Sequence, residues 1–255
     1  MEYFILKNNG GEPKVTGIRN GTAQSWFSDF FFENNQEIKN FMWPDDKSDT
    51  RFIGGIKPEF DLDLIGLPMN KSAKHTDLIK MGALLSGCII SDKFRSLLEN
   101  FHLPPHVYYR VSFNQPDKKT NEIKEVTGYW YLYFEKETGE KTIDFKRSTF
   151  DSTYHTKHLN LDIKDLKVYS YEDYMNIYRK TGKMLAAKTL KFSQNFDKGL
   201  DLWECKLSSS KIYISDRLRE AMEANKITNI DLVSESRARR TAKLTNGTYC
   251  ELVFE

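Results

Sequence analysis

The stretch ISDKFRSLLENFHLPPHVYYRVSF, Ile90 to Phe113, contains a cap, a helix, a stop and a strand in succession. Ser91 is an N-cap residue, and Asp92 puts a carboxylate in the first turn, where the helix dipole is positive. Phe94, Leu97, Leu98 and Phe101 follow at i, i+3, i+4 and i+7, one apolar stripe, and Pro104 with Pro105 ends the helix. Burying each of those side chains is worth roughly 1.5 to 3 kcal/mol, so packing rather than intrinsic propensity decides the element. Val107 to Phe113 then reads as a strand.

Downstream, Gln115 to Lys124 reads as a polar loop and Thr127 to Glu135 as a strand dense in Tyr129, Trp130, Tyr131, Tyr133 and Phe134. The charged turn Lys136 to Lys141 leads to Thr142 to Phe145, which predicts a hairpin. Lys167 to Tyr169 is a short strand; Ser170 with Asp173 forms a variant capping box for a helix carrying Tyr174, Met175 and Tyr178, closed by Gly182. Leu185 to Phe192, Leu202 to Cys205, Ile212 to Ile214 and Thr248 to Phe254 read as strands, and Ser215 starts a helix with Leu218, Ala221 and Met222.

Upstream, Tyr3 to Lys7 is a strand ending in the turn Asn8 to Gly11. Ser25 to Trp43 is crowded with Trp26, Phe27, Phe30, Phe31, Phe32, Phe41 and Trp43, read as core packing, with an exposed anchor for a partner as the alternative. Pro44 to Asp49 is a polar loop. Thr76 to Ser86, with Leu78, Ile79, Gly82 and Leu85, reads as a helix before a strand at Cys88 to Ile90. The fold class that results is α+β: a mixed, mainly antiparallel sheet with several amphipathic helices. One echo stands out. Residues 90–103 and 214–227 align without gaps, both opening Ile-Ser-Asp and pairing Arg95 with Arg219 and Glu99 with Glu223; reuse of good capping chemistry is the preferred reading over true duplication.

Composition narrows the function classes. The 255 residues are 39% hydrophobic and 13% aromatic, a folded profile, and the net charge of +2 supplies no whole-chain field for nucleic acid or an anionic membrane. Cys88, Cys205 and Cys250 are too scattered for a disulfide framework or zinc knuckle, which points to a reducing compartment. The opening residues lack a signal-peptide pattern, and the most apolar run, Met81 to Ile90, is about half of the roughly 20 residues a membrane span needs. A cytoplasmic protein is expected.

No chemistry-bearing motif is present. Gly54 and Gly55 lack the flanking pattern of a phosphate loop, and no Gly-x-Ser-x-Gly elbow occurs. His102 and His106 are split by two prolines; His155 and His158 would share a helical face, with Asp151 one turn earlier, and are the residues on which a hydrolase-like alternative would rest. Arg237, Arg239, Arg240 and Lys243 form the one dense basic cluster, read as a solvated face, with an acidic partner or nucleic acid as its alternatives. No catalytic residue, metal ligand, cofactor or partner-binding residue is assigned. Surface-mediated protein binding is the expectation.

Three segments together, ISDKFRSLLENFHLPPHVYYRVSF, GYWYLYF with IDFKRSTF between Gly128 and Phe150, and IYISDRLREAMEANKITNIDLV from Ile212 to Val233, resemble a bacterial immunity-protein family of polymorphic toxin systems. That resemblance implies a cytoplasmic protein that neutralises a cognate toxin, encoded nearby, by stoichiometric binding and without catalysis. It covers the C-terminal two thirds. The chain is expected to form one α+β domain over 1–255, with 1–75 as an N-terminal subregion and 76–255 as the family-like region.

Overall fold

Two of the three serine-capped helices read from the sequence bury their apolar stripes in one core together with strands of two sheets. This computed structural model describes residues 2–9, 12–19, 22–42, 57–82, 87–151, 168–182, 184–208, 211–245 and 249–255. Among them, twelve strands and seven α-helices occur. The strands are β1 (Tyr3–Asn8), β2 (Leu64–Pro68), β3 (Leu78–Ile79), β4 (Cys88–Ser91), β5 (His106–Pro116), β6 (Ile123–Phe134), β7 (Thr149–Asp151), β8 (Ala186–Phe192), β9 (Leu202–Cys205), β10 (Lys211–Ser215), β11 (Ile230–Val233) and β12 (Glu251–Phe254). The helices are α1 (Pro13–Thr16), α2 (Asp29–Asn34), α3 (Gln36–Met42), α4 (Asp92–Leu98), α5 (Tyr171–Thr181), α6 (Asp216–Ala224) and α7 (Glu235–Thr245). The class is α+β.

Three sheets form, in the orders β2-β5-β6-β4-β3, β11-β1-β10-β9 and β12-β8-β7. Only β2 with β5 and β12 with β8 run parallel; the other strand pairs are antiparallel. Strands alternate their side chains between two faces, and here both faces of the two larger sheets are covered. On β6, Tyr129, Tyr131 and Tyr133 point into one core with Phe31, Ile38 and Phe113, while Leu132 and Phe134 point into another with Leu6, Phe94 and Leu218. On β1, Tyr3 and Ile5 join a third core with Phe192 and Trp203. This two-sided burial is why these strands lack the polar alternation of a solvated sheet.

The echo seen in sequence extends far beyond its fourteen residues. In one sheet β3 pairs with β4 as Leu78↔Ile90 and Ile79↔Ile89; in the other β9 pairs with β10 as Leu202↔Ile214 and Trp203↔Tyr213. The central strands match too: Tyr129 to Leu132 lie opposite Ser91 to Cys88, as Tyr3 to Leu6 lie opposite Ser215 to Ile212. The outer pairs repeat the register, His106↔Phe134 answering Ile230↔Asn8. The two units therefore share strand order, direction and register as well as a capped helix, with their central strands taken from opposite ends of the chain order. Reuse of one cap does not account for a correspondence over four strands.

Each cap forms as read. Ser91 Oγ accepts from Phe94 N at 3.2 Å, Ser215 Oγ from Leu218 N at 3.1 Å and Ser170 Oγ from Asp173 N at 3.1 Å. Gly182 ends α5 at φ 65°, in the left-handed region, and its N–H returns to Tyr178 O. Phe94 and Leu98 on α4, with Leu218 and Met222 on α6, are buried in the shared central core.

Three sequence readings are corrected. Over its described part, Thr76–Ser86 is not a helix: Leu78 and Ile79 form β3, because these neighbours feed opposite cores and so need a two-residue period. Thr142 to Phe145 is no return strand of a hairpin; Ile143 makes an isolated bridge to Phe192, and the antiparallel partners of β6 are β4 and β5. Val168 and Tyr169 join no sheet; Tyr169 N instead donates to Asp173 Oδ2 at 3.0 Å, completing the cap of α5. Pro44 to Asp49 lies outside the described residues.

If the units are equivalent, Ser91→Ala and Ser215→Ala should each lower stability by about 1–3 kcal/mol, since each removes a cap and a donor to a buried carboxylate. Urea midpoints at constant m-value measure this; a large loss for one with none for the other would contradict the equivalence.

Candidate functional site

Three carboxylates are buried among the described residues, Asp77, Asp201 and Glu204, and the two aspartates prove to be fasteners. Asp77 stands fourteen residues before Ser91, as Asp201 stands before Ser215. Asp77 Oδ1 accepts from Ser91 Oγ at 2.7 Å, and Asp201 Oδ1 from Ser215 Oγ at 2.6 Å. The other oxygen of each crosses to the opposite unit. Asp77 Oδ2 takes Thr228 N and Oγ1, both at 2.8 Å, just past α6, and Asp201 Oδ2 takes His102 N at 2.8 Å, just past α4.

Charge follows the same pattern. Lys93 lies 3.6 Å from Asp77, and Arg217 pairs with Asp201. Burial by itself would raise the Asp77 carboxyl; hydrogen bonds from Ser91 and Thr228, with the Lys93 charge, outweigh it and hold the pKa below the ordinary value. Asp201 is likewise raised by burial and lowered further by Arg217, Ser215 and the His102 amide, with a net depression. Carboxylates held ionised and fully engaged are poor general acids or bases. Arg95 lies over the rings of Trp130 and Tyr108, and its counterpart Arg219 over Phe4, so these cations also serve packing.

Beside this pair of clasps, Lys136 Nζ and Glu204 form an ion pair at 2.9 Å with side chains only 4% and 3% exposed. The neighbouring Lys206 is buried, and its pKa is pulled down to about 7, first by burial and then by the charge of Lys136. The three thiols are free and buried, and burial pushes each up to about 12, leaving them inert at neutral pH.

The candidate residues of the sequence reading scatter. His155 and His158 lie outside the described residues; Asp151 sits on β7 with Lys188 at 3.7 Å. His102 approaches Asp197 at 3.6 Å, while His106 Nδ1 meets Pro104 O at 2.9 Å, so the two rings serve separate partners. Among the described residues no group of three His, Cys, Asp or Glu side chains could hold a metal ion, and no helix is long and apolar enough to cross a membrane. Two arginines of the basic cluster on α7 are paired within the chain: Arg237 grips Asp231 at 2.5 Å and Arg239 reaches Glu235 at 2.9 Å and Glu251 at 3.1 Å. The aromatic run divides: Phe27, Phe31, Phe32 and Phe41 pack in the core, whereas Trp26 and Phe30 are exposed, Phe30 at 75%. Trp43 lies outside the described residues.

A basic groove went unread in the sequence. Lys71 and Lys74, after β2, meet Lys118 and Lys119 from the turn between β5 and β6 and Lys124 at the start of β6. Single charges spread over fifty residues carry no motif; only the parallel pairing of β2 with β5 brings them together.

The model of the immunity protein family Imm11 matches residues 54–235 of this chain. The chain belongs to the Imm11 immunity protein family. In this Imm11 protein the matched span contains both clasps, α4 and α6, and leaves out β1, the strand that β10 and β11 flank. No curated protein matches the chain.

Two outcomes follow from the electrostatics. The folded pKa values of Asp77 and Asp201 lie below the unfolded value of about 3.9, so their stabilisation is complete above it and lost as pH falls through the folded values. Asp77→Asn and Asp201→Asn should each cost about 1–3 kcal/mol at pH 7, and in acid titrations of thermal melting each should lose less than the wild type. For Lys206 the folded pKa is depressed, so its penalty is absent above the unfolded value of about 10.4 and complete below pH about 7. Lys206→Met should therefore melt higher than wild type at pH 7, by roughly 2 to 4 °C per kcal/mol recovered, with the gain vanishing near pH 10; a gain independent of pH would contradict burial as its cause.

Proposed function

We propose that this chain is an immunity protein that neutralises a cognate bacterial toxin by stoichiometric binding in the cytoplasm, without catalysis. The observation that carries the reading is the Imm11 match over residues 54–235. The engagement of the buried carboxylates supports it: Asp77 and Asp201 serve as structural clasps and Glu204 is paired with Lys136. So does the exposure of Phe30, Ile65 and Ile123, large apolar side chains of the kind that desolvate in an interface. The chain acts as one unit over 1–255, a reading supported by β1, whose pairs on both sides tie the first residues to the last third. An interface of about 1,600 Å² in total would suffice for tight binding.

The test is co-expression with a toxic domain encoded in a neighbouring reading frame. Growth should be rescued, and the two chains should co-purify at equal stoichiometry. Rescue without a complex, or turnover of a substrate by the purified chain alone at an enzymatic rate, would overturn the proposal.

A further inference from the structure

We infer that the lysine groove between the 71–75 segment and the β5–β6 turn is the docking surface for a carboxylate-rich face of a partner protein. The inference rests on the proposed immunity role and deepens it by naming a surface and the chemistry it recognises.

The groove is built rigidly. Gln115 Nε2 donates to Asn70 O at 3.0 Å and Ala73 O at 2.8 Å, and its Oε1 meets His75 Nε2 at 2.8 Å, so the two walls are tied through one amide side chain. The turn itself is organised by Asp117, whose Oδ1 accepts from Lys119 N at 2.8 Å and Thr120 N at 3.2 Å. The backbone that carries the lysines is therefore fixed before any partner arrives, which leaves only their side chains to be ordered on binding.

That charge is also unspent. Asp117 is the one carboxylate that lines the groove beside five lysines, and its Oδ2 is taken by Lys124 at 2.9 Å. Lys74 Nζ rests on the Lys14 carbonyl at 2.6 Å, which satisfies a donor and cancels no charge. Lys71, Lys118 and Lys119 are exposed and have no anionic partner among the described residues. The contrast with the arginines is sharp: Arg110, Arg147, Arg179, Arg217, Arg219 and Arg237 each hold a carboxylate of this chain. With a net charge of only +2 overall, the groove is a local concentration of positive potential.

Charge complementarity calls for an anionic occupant, and the details favour carboxylates over phosphates. The groove contains lysines and no arginine fork for bidentate phosphate contact. Its lining has no Phe, Tyr or Trp on which a base could stack, and its one imidazole, His75, is bonded to Gln115. At the rim, Ile123 is 61% exposed and is the cross-strand partner of Pro116, which lines the groove. An apolar side chain beside unpaired cations suits a protein interface with a polar rim.

The test compares wild type with the K118E/K119E double variant and with Lys71→Glu on the opposite wall, each against the toxin domain encoded beside this gene. Association rate and affinity of the double variant should fall by about tenfold to a hundredfold, with a flatter salt dependence. Carbodiimide coupling of the wild-type complex should join toxin carboxylates to Lys71, Lys118 or Lys119. An unchanged affinity and salt dependence in a complex that still forms would overturn the groove and leave the immunity reading standing. Failure of the wild type to form any complex would overturn the immunity reading and the groove with it. Wild-type binding to a mixed-sequence single-stranded oligonucleotide that K118E/K119E loses would make nucleic acid the occupant and sink the carboxylate assignment. Should the double variant melt early, K118Q/K119Q and Lys71→Glu read the same quantities.

Discussion

Two buried carboxylates, each shared between its own helix cap and the chain emerging from the other unit's helix, are the interaction on which the architecture depends. A carboxylate removed from water is tolerable only when its oxygens are satisfied. Asp77 and Asp201 meet that condition with partners no single unit could supply, since Thr228 and His102 arrive from across the central core. The helices, the β3–β4 and β9–β10 pairs and the apolar layer of Phe94, Leu98, Leu218 and Met222 are thereby held in one registration. Buried Gln24 adds a neighbouring lock, donating to Lys74 O at 2.9 Å and accepting from Lys80 N and Asn229 Nδ2, each at 2.9 Å.

Local chemistry made much of this visible in advance. Caps are written in adjacent residues, so Ser91, Ser170 and Ser215 were readable, as were Gly182 and the aromatic strand of β6. Reading failed where two cores compete for neighbouring side chains. Leu78 and Ile79 look helical beside Gly82 and Leu85, yet one serves the central core and the other the tyrosine-lined core, which only an extended backbone allows. The partner of Thr142 to Phe145 is hidden from sequence for a related reason: pairing is a long-range choice, and Ile143 bridges to Phe192 rather than to the preceding strand. The repeat was half seen, because its central strands, β1 and β6, fall in different chain orders relative to their helices.

Arginines are largely consumed within the fold, including Arg237 and Arg239 of the cluster that looked most like a nucleic-acid patch in sequence. Lysines 71, 118 and 119, unremarkable one by one, converge through strand pairing. A sequence reading that weighs only local density favours the first group; the three-dimensional arrangement favours the second. The side chains of Lys71, Lys118 and Lys119 are exposed and take no part in the clasps, so they can vary without touching the carboxylates that hold the units together.

Occupancy and turnover differ in how inhibition depends on amount. Purified chain titrated into a fixed quantity of the cognate toxin, with toxin activity read after equilibration, should reduce that activity linearly and abolish it at one equivalent, independent of incubation time. Inactivation that proceeds to completion at a small fraction of an equivalent and deepens with time would mean turnover, and would contradict a protein that works by occupying its target.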